Sequence, residues 1–191
     1  MTILFILIAI LVAYAIFVYN KMIMQRNQVK EGWSGIDVQL KRRHNLIPNL
    51  VETVQGYAGH EKSVFQEVTE LRSQIQSTHD INEKGKLESA LSLGLEKLIA
   101  VAENYPDLKA NENFIHLQQE LSQIEDQIQM ARRYYNGAAR DYNTTIESFP
   151  QVIIANFFGF GHYDYFEIED DLEKEVPKVS FGKQKSDDNK S

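Results

Sequence analysis

The chain has 191 residues, a formal net charge of −7 and no cysteine, which excludes disulfide bonds, cysteine-ligated zinc and thiol catalysis. Its charged fraction of 25% and hydrophobic fraction of 43% are those of an ordinary globular protein and not of a disordered chain. The acidic balance argues against nucleic acid as a partner, because binding to phosphates requires clustered lysine and arginine side chains.

The chain begins with an apolar run at residues 2–19. Within it only Thr2 lies outside the hydrophobic set, and no charged side chain occurs before residue 21. At about 1.5 Å per residue the run covers about 27 Å, close to the thickness of a bilayer core. We therefore expect a transmembrane anchor, which makes the chain an integral membrane protein. A cleaved signal peptide is the alternative, because Ala13-Tyr14-Ala15 is a small-x-small site, but no positive segment precedes the run.

The flanking charges predict the orientation of this anchor. No lysine or arginine precedes it, whereas Lys21, Arg26 and Lys30 follow it closely. By the positive-inside rule, the soluble part of this single-pass cell-membrane protein then lies in the cytoplasm. The margin is only three charges, so an extracytoplasmic bundle remains the alternative.

A heptad pattern follows the polar juxtamembrane segment at residues 20–35, which either continues the membrane helix or interrupts it. Side chains recur at steps of three and four from Ile36 to Ile75, as is typical of long packed helices. Pro48 lies inside the pattern, so we expect one long helix with a bend near the proline. Two helices, with Pro48 in the first turn of the second, are the alternative.

Two shorter signals and a second heptad run follow. Asp80 and Glu83 form a candidate capping box for an amphipathic helix that ends or turns at Tyr105-Pro106-Asp107. From Phe114 to Ile146 the heptad is regular, which predicts a helix of about 50 Å that Ser148-Phe149-Pro150 closes.

Four asparagines are expected to have structural roles. Asn45 and Asn49 flank Pro48, and Asn111 and Asn113 lie at the start of the last long helix. Their amides can satisfy backbone groups that a bend or a helix start leaves open.

These patterns predict an all-α fold, because no stretch shows sustained period-two alternation. We expect an amino-terminal transmembrane helix and then a long antiparallel up-down bundle of three to four helices at residues 36–166. Residues 167–191 are acidic and then polar, which predicts a non-regular, partly disordered tail.

Four long motifs follow one another along the soluble part of the chain. They are WSGIDVQLKRRHNLIPNLVETVQGYAGHE at residues 33–61, ENYPDLKANENFIHLQQEL at 103–121, IEDQIQMARRYYNGAARDYNTTIESFP at 124–150 and FFGF at 157–160. With these motifs the chain resembles the LemA family of bacterial membrane proteins from residue 33 to about residue 181. The resemblance implies one amino-terminal membrane helix and a long helical bundle. It implies no catalytic residue, because no biochemical activity is established for that family.

The residues themselves supply no enzymatic motif. Five scattered histidines include no pair spaced by four residues: His44, His60, His79, His116 and His162. His60-Glu61 begins like a zinc-protease motif, but Val64 occupies the position of its second histidine. The sequence also lacks a phosphate-binding loop and a nucleophile elbow. We therefore predict a non-enzymatic protein with no catalytic residue, no cofactor-binding residue and no metal ligand.

Two basic clusters receive structural interpretations. Arg43, in Lys41-Arg42-Arg43-His44, falls on the apolar seam, so we expect it to pair with a buried acid such as Glu125. A lipid-binding or partner-binding patch is the alternative. In Arg132-Arg133-Tyr134-Tyr135-Asn136 the heptad places Tyr135 in the core beside solvated arginines, which is a simpler explanation than nucleic-acid binding.

An aromatic segment at residues 153–160 follows the last long helix. Its apolar side chains are Ile153, Ile154, Phe157, Phe158 and Phe160. With three passes of helix this segment lies at the end of the bundle far from the membrane, and we expect it to plug that open end. A partner-docking surface is the second interpretation. Bilayer contact is the third, and it requires the chain to reverse at Pro48.

These features favour a membrane-anchored adaptor or scaffold that presents helix faces to unidentified protein partners. Self-association into a homo-oligomer is a further expectation. A membrane-surface sensor, or a regulator of a membrane enzyme such as a protease, is the alternative function.

Overall fold

The computed structural model describes residues 1–59, 61–78 and 80–166. These residues form six helices and no β-strand: α1 Thr2–Gln55, α2 Lys62–Ser77, α3 Ile81–Glu103, α4 Pro106–Lys109, α5 Glu112–Glu147 and α6 Gln151–Phe158. The predicted all-α class, with an amino-terminal apolar helix and a helical bundle, is confirmed. The predicted tail at residues 167–191 lies outside the described residues.

Helix α1 is a single helix of 54 residues that joins the apolar run to the bundle. The juxtamembrane segment therefore continues the membrane helix. The heptad spacing explains this continuity, because the buried residues Val18, Met22, Val29 and Ile36 extend the seam backwards in steps of four and seven. Among the described residues, α1 alone has a stretch long and apolar enough to cross a membrane.

Helix α1 also passes through Pro48, so the two-helix alternative at this proline is wrong. Proline has no N–H, which leaves the carbonyl of His44 without its helical donor. Arg72 of α2 takes that place, since its Nε donates to the His44 carbonyl oxygen at 2.9 Å. The side chains of Asn45 and Asn49 are exposed. The hydrogen-bond donor that was expected from their amides is supplied by Arg72 of α2 instead.

The heptad from Ile36 to Ile75 is two helices, and the prediction of one long helix is wrong. Helix α1 ends at Gln55 and α2 begins at Lys62. The intervening turn contains Gly56 and Gly59, and glycine disfavours a helix interior by about 1 kcal/mol relative to alanine. Tyr57 continues the heptad spacing across this turn, but its side chain is exposed.

Contacts between the helices define an up-down-up-down order. Near the start of α3, Lys84 Nζ lies 3.4 Å from Asp37 Oδ1 on α1. At the opposite end, the Tyr105 hydroxyl donates to Glu61 at 2.9 Å. Helix α2 therefore returns towards the membrane and α3 leads away again. The predicted antiparallel bundle has four long helices here: α1, α2, α3 and α5.

Helix α5 runs back along α1 towards the membrane. Its start lies near the far end of α1, where Asn111 Nδ2 donates to the Tyr57 hydroxyl at 3.1 Å. Near its end, Gln25 Nε2 on α1 donates to the Asp141 carbonyl oxygen at 3.5 Å. The expectation that residue 150 lies far from the membrane is therefore wrong, because the turn after Gln55 adds a fourth pass.

Two predicted helix caps are confirmed. The Asp80 carboxylate accepts a hydrogen bond from the Glu83 backbone N–H at 2.8 Å. The side-chain oxygen of Asn111 accepts from the backbone N–H groups of Asn113 and Phe114, at 2.9 and 3.1 Å. Each cap satisfies donors that the first helical turn leaves without partners.

Candidate functional sites: a buried arginine cluster and a membrane-proximal surface

Arg43 lies at the centre of a charged cluster between α1, α3 and α5, and its side chain is fully buried. Its Nη1 donates to Glu125 Oε1 at 2.7 Å, which confirms the pair expected from the sequence. Nη1 also donates to Ser92 Oγ at 2.9 Å, and Nη2 forms an ion pair with Glu88. We call Arg43, His44, Glu88, Ser92 and Glu125 the arginine cluster.

Glu88 is the member of this cluster that the sequence interpretation missed. Its side chain is fully buried on the side of α3 that faces the core. The signal is the spacing of α3, because Glu88 precedes Leu91 by three residues and Leu95 by seven. An acid on one seam and an arginine on another predict a buried pair.

Opposite charges keep Arg43 and Glu88 ionised inside the core. Burial opposes the charge of Glu88, but the His44 contact and the Arg43 guanidinium hold the pKa of Glu88 below its ordinary value of 4.5. Burial likewise opposes the charge of Arg43, and the two carboxylates nevertheless raise its pKa. His44 Nε2 lies 3.1 Å from Glu88 Oε1.

The lowered pKa of Glu88 gives the sign of its pH dependence. The ionised carboxylate stabilises the fold above the ordinary value of 4.5, and this contribution is lost as pH falls through the folded-state pKa.

The ion pairs of the arginine cluster connect the three helices α1, α3 and α5. Within the described residues, no group of three or more histidine, aspartate or glutamate side chains is placed to hold a metal ion.

A second site lies nearer the membrane, where residues 160–166 run in an extended conformation beside α5. We call these residues the strap. The side chain of Asn143 pairs with the backbone of Tyr163, donating to its carbonyl at 2.8 Å and accepting from its N–H at 3.0 Å. Asn136, one heptad earlier, pairs in the same way with Phe166, at 3.1 and 2.9 Å.

Aromatic side chains of the strap pack against both α1 and α5. The ring of Phe166 is fully buried, and its centroid lies 5.5 Å from that of Trp33 on α1. Tyr163 packs against Tyr142 of α5 with ring centroids 5.3 Å apart. The strap therefore packs against both α1 and α5 in the membrane-proximal part of the bundle.

Tyr135 joins the same packing from α5. It is buried, as its heptad position predicts, and its hydroxyl donates to the Asp164 carbonyl oxygen at 2.8 Å. Burial, with a smaller contribution from Asp164, raises the pKa of Tyr135 to about 12, so the hydroxyl stays a donor at neutral pH. The neighbouring Arg133 is exposed, as expected for an arginine off the seam.

Helix α6 lies at the carboxyl end of the apolar run. The ring of Phe158 lies 4.7 Å from the Tyr19 ring, and that of Phe160 lies 5.6 Å from it. Arg26 stacks over Phe160 at 5.6 Å. Gly159 ends α6 in a left-handed conformation, with φ at 70°, and the chain then turns into the strap.

Most of the large apolar side chains around α6 are exposed. Phe157 is 82% exposed, Ile153 60% and Phe158 55%, and Phe149 just before the helix is 80% exposed. Ala155 faces the bundle and is buried. The expected plug is therefore wrong for these residues, because a plug would bury them and would lie at the opposite end of the bundle.

The chain matches the model of the LemA family over residues 32–181. Among curated relatives, magnetosome protein MamQ 2 of Paramagnetospirillum magneticum is 26% identical over 175 residues. That alignment covers 78% of this chain and 64% of MamQ 2, so the chain spans slightly less than two thirds of that relative. Protein LemA of Metamycoplasma hominis is 28% identical over 151 residues, which cover 77% of this chain and 68% of that protein.

Proposed function

This chain belongs to the LemA family, and we propose that it is a membrane-anchored, non-enzymatic scaffold whose bundle presents helix faces to partner proteins. The names of its relatives support this proposal, because MamQ is named as a magnetosome protein and LemA is not named for a reaction. Neither name identifies a partner for this chain.

The observation that carries the proposal is the continuity of α1. One helix of 54 residues holds both the apolar run and a full side of the bundle. A soluble domain on a flexible tether would be free to rotate, whereas this bundle has a fixed direction relative to the anchor. A fixed direction serves a protein that positions others at a membrane.

The arginine cluster supports the same proposal. Arg43 and Glu88, the central pair of the arginine cluster, are both fully buried. These two groups contact each other in the core, whereas the partly exposed Glu125 and His44, which lines a surface pocket, lie at the edge of the cluster. The cluster therefore stabilises the packing of three helices.

Site-specific photo-crosslinking in native membranes tests the scaffold. A crosslinking amino acid replaces, one at a time, exposed apolar residues on three helices of the full chain: Val38, Leu93, Ile115 and Met130. We expect discrete adducts with the same partner protein from neighbouring positions on one face. A matched control places the crosslinker at the buried Leu91, where no adduct should form.

Absence of protein adducts at all four surface positions would contradict the scaffold. If the captured partner is a membrane enzyme, its turnover is measured with and without the full chain. A change in turnover at constant enzyme amount would favour the regulatory function over the scaffold.

We also propose that the bundle lies in the cytoplasm, on the basis of Lys21, Arg26 and Lys30. Alkaline phosphatase fused after Ser191 should be inactive, and a cytoplasmic reporter at the same position should be active. Phosphatase activity would place the bundle on the other side of the membrane.

A further inference from the structure

Helix α6 carries an apolar face that the rest of the described chain leaves uncovered. Ile153 and Phe157 are spaced by four residues and so share one side of the helix, at 60% and 82% exposure. Phe149 and Phe158 extend this exposed apolar area, which we call the α6 surface. Contiguous exposed apolar surface of this kind marks an interaction site.

The position of α6 identifies what covers it. Phe158 and Phe160 both pack on Tyr19, the last residue of the apolar run. Because α1 is uninterrupted, α6 lies at the height where the anchor leaves the bilayer. Lipid surrounds an isolated membrane helix at that height, and tyrosine and other aromatic side chains favour this interface.

We propose that α6 is an interfacial helix that inserts Ile153 and Phe157 into the leaflet next to the bundle. The proposal rests on residues 2–19 spanning the membrane and is independent of the scaffold function. It gives the chain a second membrane contact, which begins at Gln151, 132 residues after the apolar run ends at Tyr19.

The composition of α6 specifies the kind of contact. Its sequence, QVIIANFF, contains no charged residue, so attraction to anionic headgroups does not arise from the helix itself. Burial of apolar side chains at the boundary between headgroups and acyl chains is then the driving force. Insertion should therefore proceed equally well into zwitterionic and anionic bilayers.

Quenching of tryptophan fluorescence by brominated phospholipids tests this proposal in the full chain reconstituted into vesicles. Three variants are compared with the parent chain, whose only tryptophan is Trp33. They are Phe157→Trp in the α6 surface, Phe17→Trp in the apolar run and Gln127→Trp on the exposed side of α5. The signal of Trp33 is common to all and is subtracted.

We expect brominated lipid to remove most of the added emission of the Phe157→Trp and Phe17→Trp variants and to leave that of Gln127→Trp unchanged. Quenching of the Phe157→Trp variant should be the same in phosphatidylcholine vesicles and in vesicles that also contain phosphatidylglycerol. A requirement for anionic lipid would overturn insertion by apolar contact.

Unquenched emission from the Phe157→Trp variant would overturn the proposal, whatever its wavelength. Emission at long wavelength would show a water-exposed α6 surface, and emission at short wavelength would show a protein cover, such as a second copy of the chain. Failure to quench the Phe17→Trp variant would overturn it as well, because the apolar run would then lie outside the bilayer.

Discussion

The two halves of the bundle use the same seam of α1 and cover it in different ways. In the distal half, residues 36–55 of α1 pack with α2, α3 and α5. In the proximal half, residues 18–35 of α1 pack with the end of α5, with α6 and with the strap. A heptad seam along one helix thus identifies the buried residues and leaves open what buries them.

The polar groups in the two halves differ in the same way. The distal half joins charged side chains from three helices in the arginine cluster, and Arg43 and Glu88 are fully buried there. The proximal half pairs asparagine amides with extended backbone, through Asn136 and Asn143. Ion pairs hold helices together in one region, and side-chain amides hold a segment without regular structure in the other.

The largest expected effect at a charged or polar residue is in the distal half. Replacement of Arg43 by alanine removes the guanidinium partner of the buried Glu88 and leaves only the His44 contact described above, which should lower the free energy of unfolding by about 3–5 kcal/mol. Chemical denaturation of the full chain in detergent, followed by circular dichroism, measures this loss. Arg42→Ala is the matched control, because Arg42 is the exposed neighbour and its loss should cost less than about 0.5 kcal/mol. Equal effects would mean that the charged cluster contributes no net stability.

A smaller loss is expected at Gly32, where α1 closely approaches α5 in the proximal half. A methyl group at Gly32 would lie 2.9 Å from the Cα of Tyr135, so Gly32→Ala should separate the helices at a cost of about 1–3 kcal/mol. The control is Gly35→Ala, where no atom lies within 4 Å and alanine should stabilise the helix by about 0.5–1 kcal/mol. The same denaturation measurement should therefore give opposite signs for the two variants. A loss at both positions would contradict the close approach.

Release of the strap should cost a similar amount, but its effect should be confined to the strap. Asn143→Ala removes two neutral hydrogen bonds to Tyr163, worth about 1–3 kcal/mol together. Hydrogen exchange should show faster exchange of the Tyr163 amide in this variant while the α2 and α3 amides keep their parent rates. Asn27→Ala, at an exposed position on α1, should change neither. Unchanged exchange at Tyr163 would show that the amide pair does not hold the strap.

The smallest effect is expected on the α6 surface. Phe157→Ser should change the thermal midpoint of the full chain in detergent by an amount equivalent to less than about 0.5 kcal/mol, because the ring is 82% exposed. Phe166→Ser is the contrasting variant, since this fully buried ring should cost about 3–5 kcal/mol, as phenylalanine truncations in cores do. Similar losses for both would restore the plug interpretation of the aromatic segment.

The sequence predicted the features that depend on heptad spacing and on the chemistry of individual side chains. The heptad of α5, the caps at Asp80 and Asn111, and the pairing of Arg43 with Glu125 all follow from spacing and side-chain chemistry. Spacing also caused two wrong predictions, the single long helix from Ile36 to Ile75 and the position of residue 150 far from the membrane. Both arose because Tyr57 continues the heptad spacing of α1 across the turn between α1 and α2. Local periodicity does not register where a chain changes direction.

The features that the sequence did not predict depend on contacts between distant segments. From the sequence alone, Gly32 is a residue that disfavours a helix interior. The structure shows that the absence of a side chain there lets Tyr135 of α5 pack against α1. The sequence of the strap shows no periodicity that predicts its conformation. Its position is fixed by hydrogen bonds to Asn136 and Asn143, which lie about 20 to 30 residues away in the chain. Tertiary partners therefore determine the proximal half more than intrinsic propensity does.

The unbroken α1 also has a mechanical consequence. From residue 20 to Gln55 the helix extends about 54 Å beyond the anchor, at 1.5 Å per residue. A membrane helix tilts to match the local bilayer thickness, and tilts of 0–40° are usual. A change of about 10° would move the far end of this lever by about 9 Å, which is nearly the width of a helix. Bilayer thickness is thereby converted into lateral displacement of the distal half.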